Sequence, residues 1–314
     1  MRREEVLEEL RDVGVDARYV AVLEEGVIVP LNPRRAKLTE RRRRRLERAG
    51  LTIVRSKTLE RASVRAHRVI TRYELFEPRE EVAVGFSGGK DSLTCLLVLE
   101  PLTRRLGLRL RPVLIDVRLH GEEVWGSEGR RHCEELCRRL GLELEYVRPR
   151  EDVGELAEEH DESPCLICSL IRRRELRERS EKIVLAHTLD DAVITALATA
   201  VKGEGVKLLP PKERLEGMVS RYVNYEFPPT TIVRPIVRVP EEWTARVPEE
   251  TGLEPFNADC PYSKPYAATL RGKVAHGLEW LRLELSMDRV ELLDRLWRSL
   301  KKACEGEEAD DRER

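Results

Sequence analysis

Read for its alternation of apolar and polar positions, the chain has a long central block of short apolar runs separated by amphipathic stretches. The runs Val82–Phe86, Leu110–Val117, Leu142–Val147 and Ile183–Ala186 are continuous rather than alternating, as strands buried on both faces of a parallel sheet are. Between them and after the third run, Leu93–Leu106, Glu128–Leu140, Val153–His160 and Cys168–Arg179 place apolar residues at helical spacing. This order predicts an α/β fold with a doubly wound, mainly parallel sheet. Thr230–Val233 predicts a last strand. Val239-Pro240-Glu241-Glu242 starts a helix with proline in its first turn, ending near Gly252. The Gly- and Pro-marked stretch 204–229 lacks a pattern and is expected to be a long connection.

The flanks are patterned differently. Glu4–Val13 predicts a short helix, and two apolar runs around Glu24-Glu25-Gly26 predict a hairpin. A helical stretch with five consecutive arginines, Arg41 to Arg45, ends near Gly50, and Arg61, Arg65, Arg68 and Arg72 continue the basic character along the next helix. Such runs are either solvated faces or phosphate contacts. After Cys260, helices are expected over Tyr266–Leu285 and Asp288–Ala303, the second with a packing stripe at Leu292, Leu293, Leu296, Trp297 and Leu300. The predicted organisation is an N-terminal Arg-rich α+β appendage over 1–75 with possible RNA contact, a catalytic domain over 76–263, a C-terminal helical segment over 264–304 and a disordered tail over 305–314.

At 314 residues the chain can bury a sizeable core, and its formal net charge of -1 means that any nucleic-acid surface is a local patch. No run approaches the roughly 20 apolar residues of a membrane span, and the N-terminus leads into no signal-peptide core, so no membrane contact and a cytoplasmic location are expected. The 7 cysteines, an odd number, argue for thiols or metal ligands over a disulfide framework.

The densest chemistry lies in Ser87-Gly88-Gly89-Lys90-Asp91-Ser92, between the first apolar run and the helix after it. A helix N-terminus offers unpaired N–H groups, and glycine N–H groups can form an anion nest, so phosphate belongs at this turn. The string differs from the Walker A pattern. In an open sheet, ligands bind beyond the carboxyl ends of the strands, which places Ser87, Asp116 and His187 along one rim. A second constellation is Pro164-Cys165-Leu166-Ile167-Cys168, which holds the CxxC of the chain, with Cys260-Pro261-Tyr262-Ser263 far downstream. A CxxC suits a redox dithiol, half a zinc site or part of an iron–sulfur site. Three cysteines can hold a cubane cluster and leave one iron without a protein ligand.

The glycine turn resembles the pyrophosphate-binding loop of the PP-loop ATP pyrophosphatases, whose fold is adenine nucleotide alpha-hydrolase-like. The order PP-loop, P-C-x-x-C with an arginine-rich helix, Ala186-His187-Thr188-Leu189-Asp190-Asp191, Arg234-Pro235-Ile236 and Cys260-Pro261-Tyr262-Ser263 resembles the iron–sulfur-dependent tRNA 2-thiolation enzymes. Cys-Pro-Tyr is closer to their 2-thiouridine branch than to the 2-thiocytidine branch. The absence of cysteine before Cys95 departs from the zinc-finger modules usual in the former.

The resemblance implies an ATP-dependent, AMP-forming sulfurtransferase that adenylates the 2-oxo group of a pyrimidine in tRNA and replaces it with sulfur delivered at an iron–sulfur cluster. Its cofactors would be ATP, Mg²⁺ and a [4Fe-4S] cluster. Its partners would be tRNA, a sulfur donor (sulfide or a sulfur-carrier protein) and a second copy of the chain. Carried over by position, Ser87, Gly88, Gly89, Lys90, Asp91 and Ser92 bind the phosphates, Asp116 and His187 flank the nucleotide, and Asp190 and Asp191 help bind Mg²⁺. Cys165, Cys168 and Cys260 ligate the cluster, and Arg172 stands where the uridine enzymes have a catalytic basic residue, commonly lysine. Two other readings are a PP-loop enzyme adenylating a non-tRNA acceptor and a nucleotide-binding tRNA partner protein with little turnover.

Overall fold

The computed structural model describes residues 1–263 and 269–305. The N-terminal unit comprises α1 (Arg3–Val13), the antiparallel pair β1 (Val20–Val22) and β2 (Val27–Pro30), α2 (Glu40–Arg48) and β3 (Thr52–Ile53), which lies parallel to β2. The expected hairpin is β1–β2, turned at Glu24–Gly26. The unit has its own small core, in which Val6, Leu10, Val22, Ile28 and Leu46 are fully buried. Its apolar cluster closes near Ile53. The next helix, α3 (Lys57–Arg72), puts Leu59, Ala62, Ala66 and Val69 into the main core, where Ala21, Leu23, Val29 and Leu31 of the N-terminal unit also lie.

The catalytic body follows as β4 (Glu81–Gly85), α4 (Lys90–Arg105), β5 (Arg109–Ile115), the short pair β6 (Arg118–Leu119) and β7 (Glu122–Glu123), α5 (Gly126–Arg139), β8 (Glu145–Val147), α6 (Val153–His160) and α7 (Pro164–Arg177). It continues with β9 (Lys182–Val184), α8 (Leu189–Val201), β10 (Lys212–Leu215), the hairpin β11 (Met218–Ser220) and β12 (Tyr225–Phe227), β13 (Thr230–Val233) and α9 (Glu241–Thr251). Two helices, α10 (Leu270–Glu284) and α11 (Arg289–Glu305), close the described chain. The first residues expected in the former helix and nearly all of the expected tail lie outside the described residues.

The six-stranded sheet runs β10-β13-β9-β4-β5-β8, parallel except at the β10 edge. The apolar runs are continuous because each strand feeds two cores. Val82 and Val84 of β4, Val184 of β9 and Val233 of β13 face one cluster, while Ala83, Ile183 and Ile232 face the other. The chain leaves β4 for β5 on one side and returns to β9 on the other, so the strand order reverses between β4 and β9. Such a switch point leaves a crevice at the carboxyl ends of the strands.

One expectation is corrected. The stretch 204–229 is partly ordered as strand: β10 pairs antiparallel with β13, Lys212 opposite Val233, and β11 and β12 form a separate hairpin. Segments of three or four residues bracketed by prolines are too short to show a period. The C-terminal helices carry the expected packing stripe, with Leu296 and Leu300 also against the core. They pack on α8 and bury Leu278, Leu293 and Trp297 in the main core.

Candidate functional site

Three chain segments open onto the crevice: the turn after β4, the turn after β9 and the start of α9. At the first, Gly88 has φ +75 and Gly89 caps α4 in extended backbone. A Cβ on Gly88 would lie 2.6 Å from Cys133 Sγ and 3.2 Å from Phe256 Cβ. Glycine is therefore required twice here, for handedness and for space. Ser87 Oγ lies 3.2 Å from Ser92 Oγ, whose hydroxyl donates to Gly89 O at 3.0 Å.

Lys90 Nζ donates to Asp91 Oδ2 at 3.0 Å and to Glu241 Oε1 at 2.7 Å, and Thr244 Oγ1 donates to Asp91 Oδ1. Burial lowers the affinity of Lys90 for its proton, but Asp91 and Glu241 outweigh it and hold its pKa above the usual lysine value. Burial raises the pKa of Asp91 against the pull of Lys90 and Thr244. Glu241 and Thr244 escaped the sequence reading, although a helix starting after the last strand must open onto the same rim as the PP-loop.

Two carboxylates that the resemblance assigns to the nucleotide and to Mg²⁺, Asp116 and Asp190, are used for scaffolding. Asp116 is fully buried and accepts from Trp125 N at 2.9 Å, Gly126 N at 2.9 Å and Tyr146 OH at 2.8 Å. It anchors the start of α5 rather than offering a carboxylate to the crevice. Asp190 is 1% exposed and binds Arg289 at 2.8 Å and Glu241 N at 2.7 Å, which ties α8 to α9 and α11. Its neighbour Asp191 closes a capping box with Thr188 and pairs with Arg271 at 3.0 Å. His187 lies half-buried beside them. Burial depresses its basicity, and its Nδ1 has no hydrogen-bond partner among the described residues. Arg172 Nε and Arg234 Nε are buried without a partner in the same way, although Arg234 reaches Pro210 O and Glu213 with its other nitrogens.

The cysteines sit beyond the PP-loop on the other core face. Pro164 starts α7 at a position that needs no N–H, which brings Cys165 to the surface and leaves Cys168 half-buried one turn later. The segment bearing Cys260 is fixed by Phe256, whose N–H donates to Gly88 O at 2.9 Å. Burial raises the pKa of the Cys168 thiol. Arg172 opposes that shift, while Cys260 and Cys165 add to it, so the three sulfurs share one electrostatic neighbourhood. No disulfide joins them. Among the described residues no three His, Cys, Asp or Glu side chains are gathered tightly enough to share one ion. A cubane gives each thiolate its own iron and so spaces them more widely, which this all-sulfur donor set fits. The other buried cysteines are core: burial pushes Cys95 and Cys133 up to about 12.

Trp125 joins the two halves of the site and was also missed. Its indole Nε1 donates to Ser87 O at 2.9 Å, and the Arg172 guanidinium carbon lies 4.9 Å from its ring centre. One aromatic side chain therefore spans from the PP-loop backbone to the helix that carries the CxxC.

A probable sulfurtransferase of Methanocaldococcus jannaschii is 31% identical over 294 residues, covering 85% of this chain and 87% of that protein. A tRNA-cytidine(32) 2-sulfurtransferase of Geotalea uraniireducens is 29% identical over 201 residues, 61% of this chain and 73% of the relative. The fold resembles the U34-tRNA thiolase NcsA of Methanococcus maripaludis, solved with its [4Fe-4S] cluster, with a TM-score of 0.58 at 20% identity over 78% of this chain and 79% of that one. The sequence profile of the PP-loop domain matches residues 59–254, from α3 through the crevice to the end of α9, and the chain belongs to the PP-loop family.

Proposed function

We propose that the protein is an ATP-dependent tRNA sulfurtransferase that replaces the 2-oxo group of a pyrimidine with sulfur. The observation that carries this reading is the adjacency of a phosphate-binding turn and three thiols, bridged by Trp125 and Arg172. The reaction balances without an external oxidant. The base oxygen attacks the α-phosphorus, pyrophosphate leaves, a sulfur nucleophile attacks the C2 carbon, and AMP departs with the former oxygen.

The loop N–H groups, the Ser87 and Ser92 hydroxyls and Lys90 hold the pyrophosphate. On nucleotide binding Lys90 exchanges a carboxylate partner for phosphate, so Asp91 and Glu241 are available to Mg²⁺, which favours carboxylate and shared phosphate oxygens. His187, Arg172 and Arg234 offer their unspent nitrogens to the adenylated base and its phosphate. Cys165, Cys168 and Cys260 would hold a [4Fe-4S] cluster, which supplies an iron free of protein thiolate where inorganic sulfur can be presented. Arg172, with a planar guanidinium where the uridine enzymes commonly have lysine, serves as an electrostatic partner of the cysteines. The lone Cys260, with no second CxxC beside it, favours uridine over cytidine. The sulfur donor is sulfide or a sulfur-carrier protein, and a homodimer is the working assembly.

The test is anaerobic reconstitution with iron and sulfide, then incubation with ATP, sulfide and unmodified tRNA, followed by mass spectrometry of the nucleosides. A 2-thiopyrimidine formed with stoichiometric AMP is expected. AMP release that ignores tRNA would point to a different acceptor, and no AMP release at all to a partner protein.

A further inference from the structure

A groove of about 1000 Å³ lies between α3, α11 and the N-terminal unit, away from the crevice. Seven arginines line it against one carboxylate, Asp294, and that carboxylate is held by Arg65 at 2.7 Å and Arg238 at 2.9 Å. In a chain of net charge -1 this is a strong local excess. Arg35, Arg68 and Arg105 have no carboxylate partner among the described residues.

Aromatic rings are interleaved with the cations. Tyr19 lies between Arg35 and Arg105, at 5.7 and 5.8 Å, and Trp297 lies 3.8 Å beneath Arg238. Tyr73 OH and Trp297 Nε1 are buried there with no hydrogen-bond partner among the described residues. A second cavity of about 570 Å³ shares Arg65, Asp294 and Arg298 with the groove and reaches Glu242 and Trp243, next to Glu241, the partner of Lys90. The two cavities therefore adjoin, and Glu242, Asp288 and Glu291 make the second the more acidic. The arginine run of α2 does not line either cavity, and Arg43 and Arg44 are paired with Glu47 and Glu40.

We infer that this groove docks the phosphate backbone of the RNA substrate, with the half-buried rings of Tyr19 and Tyr73 facing sugar or unpaired bases. Backbone-tracking cations alternating with π-faces are what single-stranded and looped RNA needs, whereas an acidic protein would need only the cations. The inference rests on the tRNA reading above.

The test measures binding of fluorescent, unmodified tRNA by anisotropy between low and moderate salt, without ATP. The triple variant Arg35→Gln/Arg68→Gln/Arg105→Gln should bind at least tenfold more weakly, with the salt slope smaller by about 2. The control Arg41→Gln/Arg44→Gln/Arg45→Gln removes as many charges from α2 and should stay within twofold of wild type. Melting temperature and ATP binding check that both variants fold, and Arg68→Gln alone, on an exposed side chain, should show a smaller loss of the same sign. Equal losses in both triple variants, or none in the groove variant, overturn the docking site and leave the sulfurtransferase reading standing. Displacement of tRNA by polyglutamate as readily as by unlabelled tRNA makes the groove a site for acidic proteins. A wild-type protein that binds no tRNA at low salt removes both readings together.

Discussion

The indole N–H of Trp125 is hydrogen-bonded to the carbonyl oxygen of Ser87 at 2.9 Å. The bond fixes the residue that opens the phosphate turn, and the same ring lies beneath Arg172 beside Cys168. Trp125→Phe keeps the ring and deletes the donor. A single hydrogen bond contributes about 1 kcal/mol, so ATP affinity should fall roughly fivefold while the cluster still assembles. Trp125→Ala, which also removes the support of Arg172, should lose stability by about 3–5 kcal/mol. Calorimetric ATP titration and denaturant melts read the two effects, and a Phe variant equal to wild type would dissociate Trp125 from the turn.

Gly88 carries two separable demands. Its left-handed backbone would cost an alanine about 1–2 kcal/mol, and the added carbon would meet Cys133 and Phe256. Gly203 has nearly the same φ, +74, with nothing within 4 Å of its Cβ position. Gly203→Ala should therefore show the backbone cost alone, and Gly88→Ala a larger drop in melting temperature with at least a roughly tenfold loss of ATP affinity. Equal melting shifts would mean that the crowding at Gly88 relaxes.

Glu250 fastens α3 to α9, accepting from Ser56 Oγ at 2.6 Å, Thr58 Oγ1 at 2.5 Å and Thr58 N at 3.2 Å. Burial alone would raise its pKa, but these bonds and Arg246 outweigh it, so the carboxyl is held below its ordinary value. A depressed folded-state pKa contributes stability that is present above the unfolded value, near 4.5, and is lost as pH falls through the folded one. Wild type should melt higher than Glu250→Gln at pH 7, and the gap should close as the pH is taken below 4. Melting curves across that range check the sign. A gap that widens on acidification would contradict it.

What the sequence shows follows from how local the physics is. The PP-loop is legible because its glycines, hydroxyls and cation are contiguous, and the strands because burial on two faces leaves unbroken apolar runs. The sequence places Asp116 at the nucleotide and Asp190 at Mg²⁺ because a strand-end or helix-start carboxylate looks the same whether it faces solvent or a distant donor. The partners of Asp190, at Glu241 and Arg289, lie 51 and 99 residues away. Trp125 and Thr244 were invisible for the same reason, since their roles exist only once β4, α5 and α9 are side by side. The arginine run of α2 is conspicuous, with Arg43 and Arg44 paired to glutamates of the same helix, whereas the groove arginines are spread over α3, α4, α11 and two loops.

The cysteines offer the sharpest separation of chemistry from packing. Cys133 lies fully buried against the phosphate turn, and burial pushes its thiol up to about 12. Cys260 is half-buried near Cys168 and Arg172. Cys133→Ala removes a small apolar side chain and should lower the melting temperature by a few degrees while the protein still takes up iron. Cys260→Ala should melt like wild type before reconstitution, bind ATP, yet retain little iron and form no thionucleoside, because two thiolates cannot hold a cubane as three do. Iron and sulfide content, with the visible absorption of the reconstituted protein, distinguishes the two variants without any turnover. A Cys260→Ala protein that holds a full complement of iron would remove Cys260 from the ligand set and require a different third ligand near Cys168.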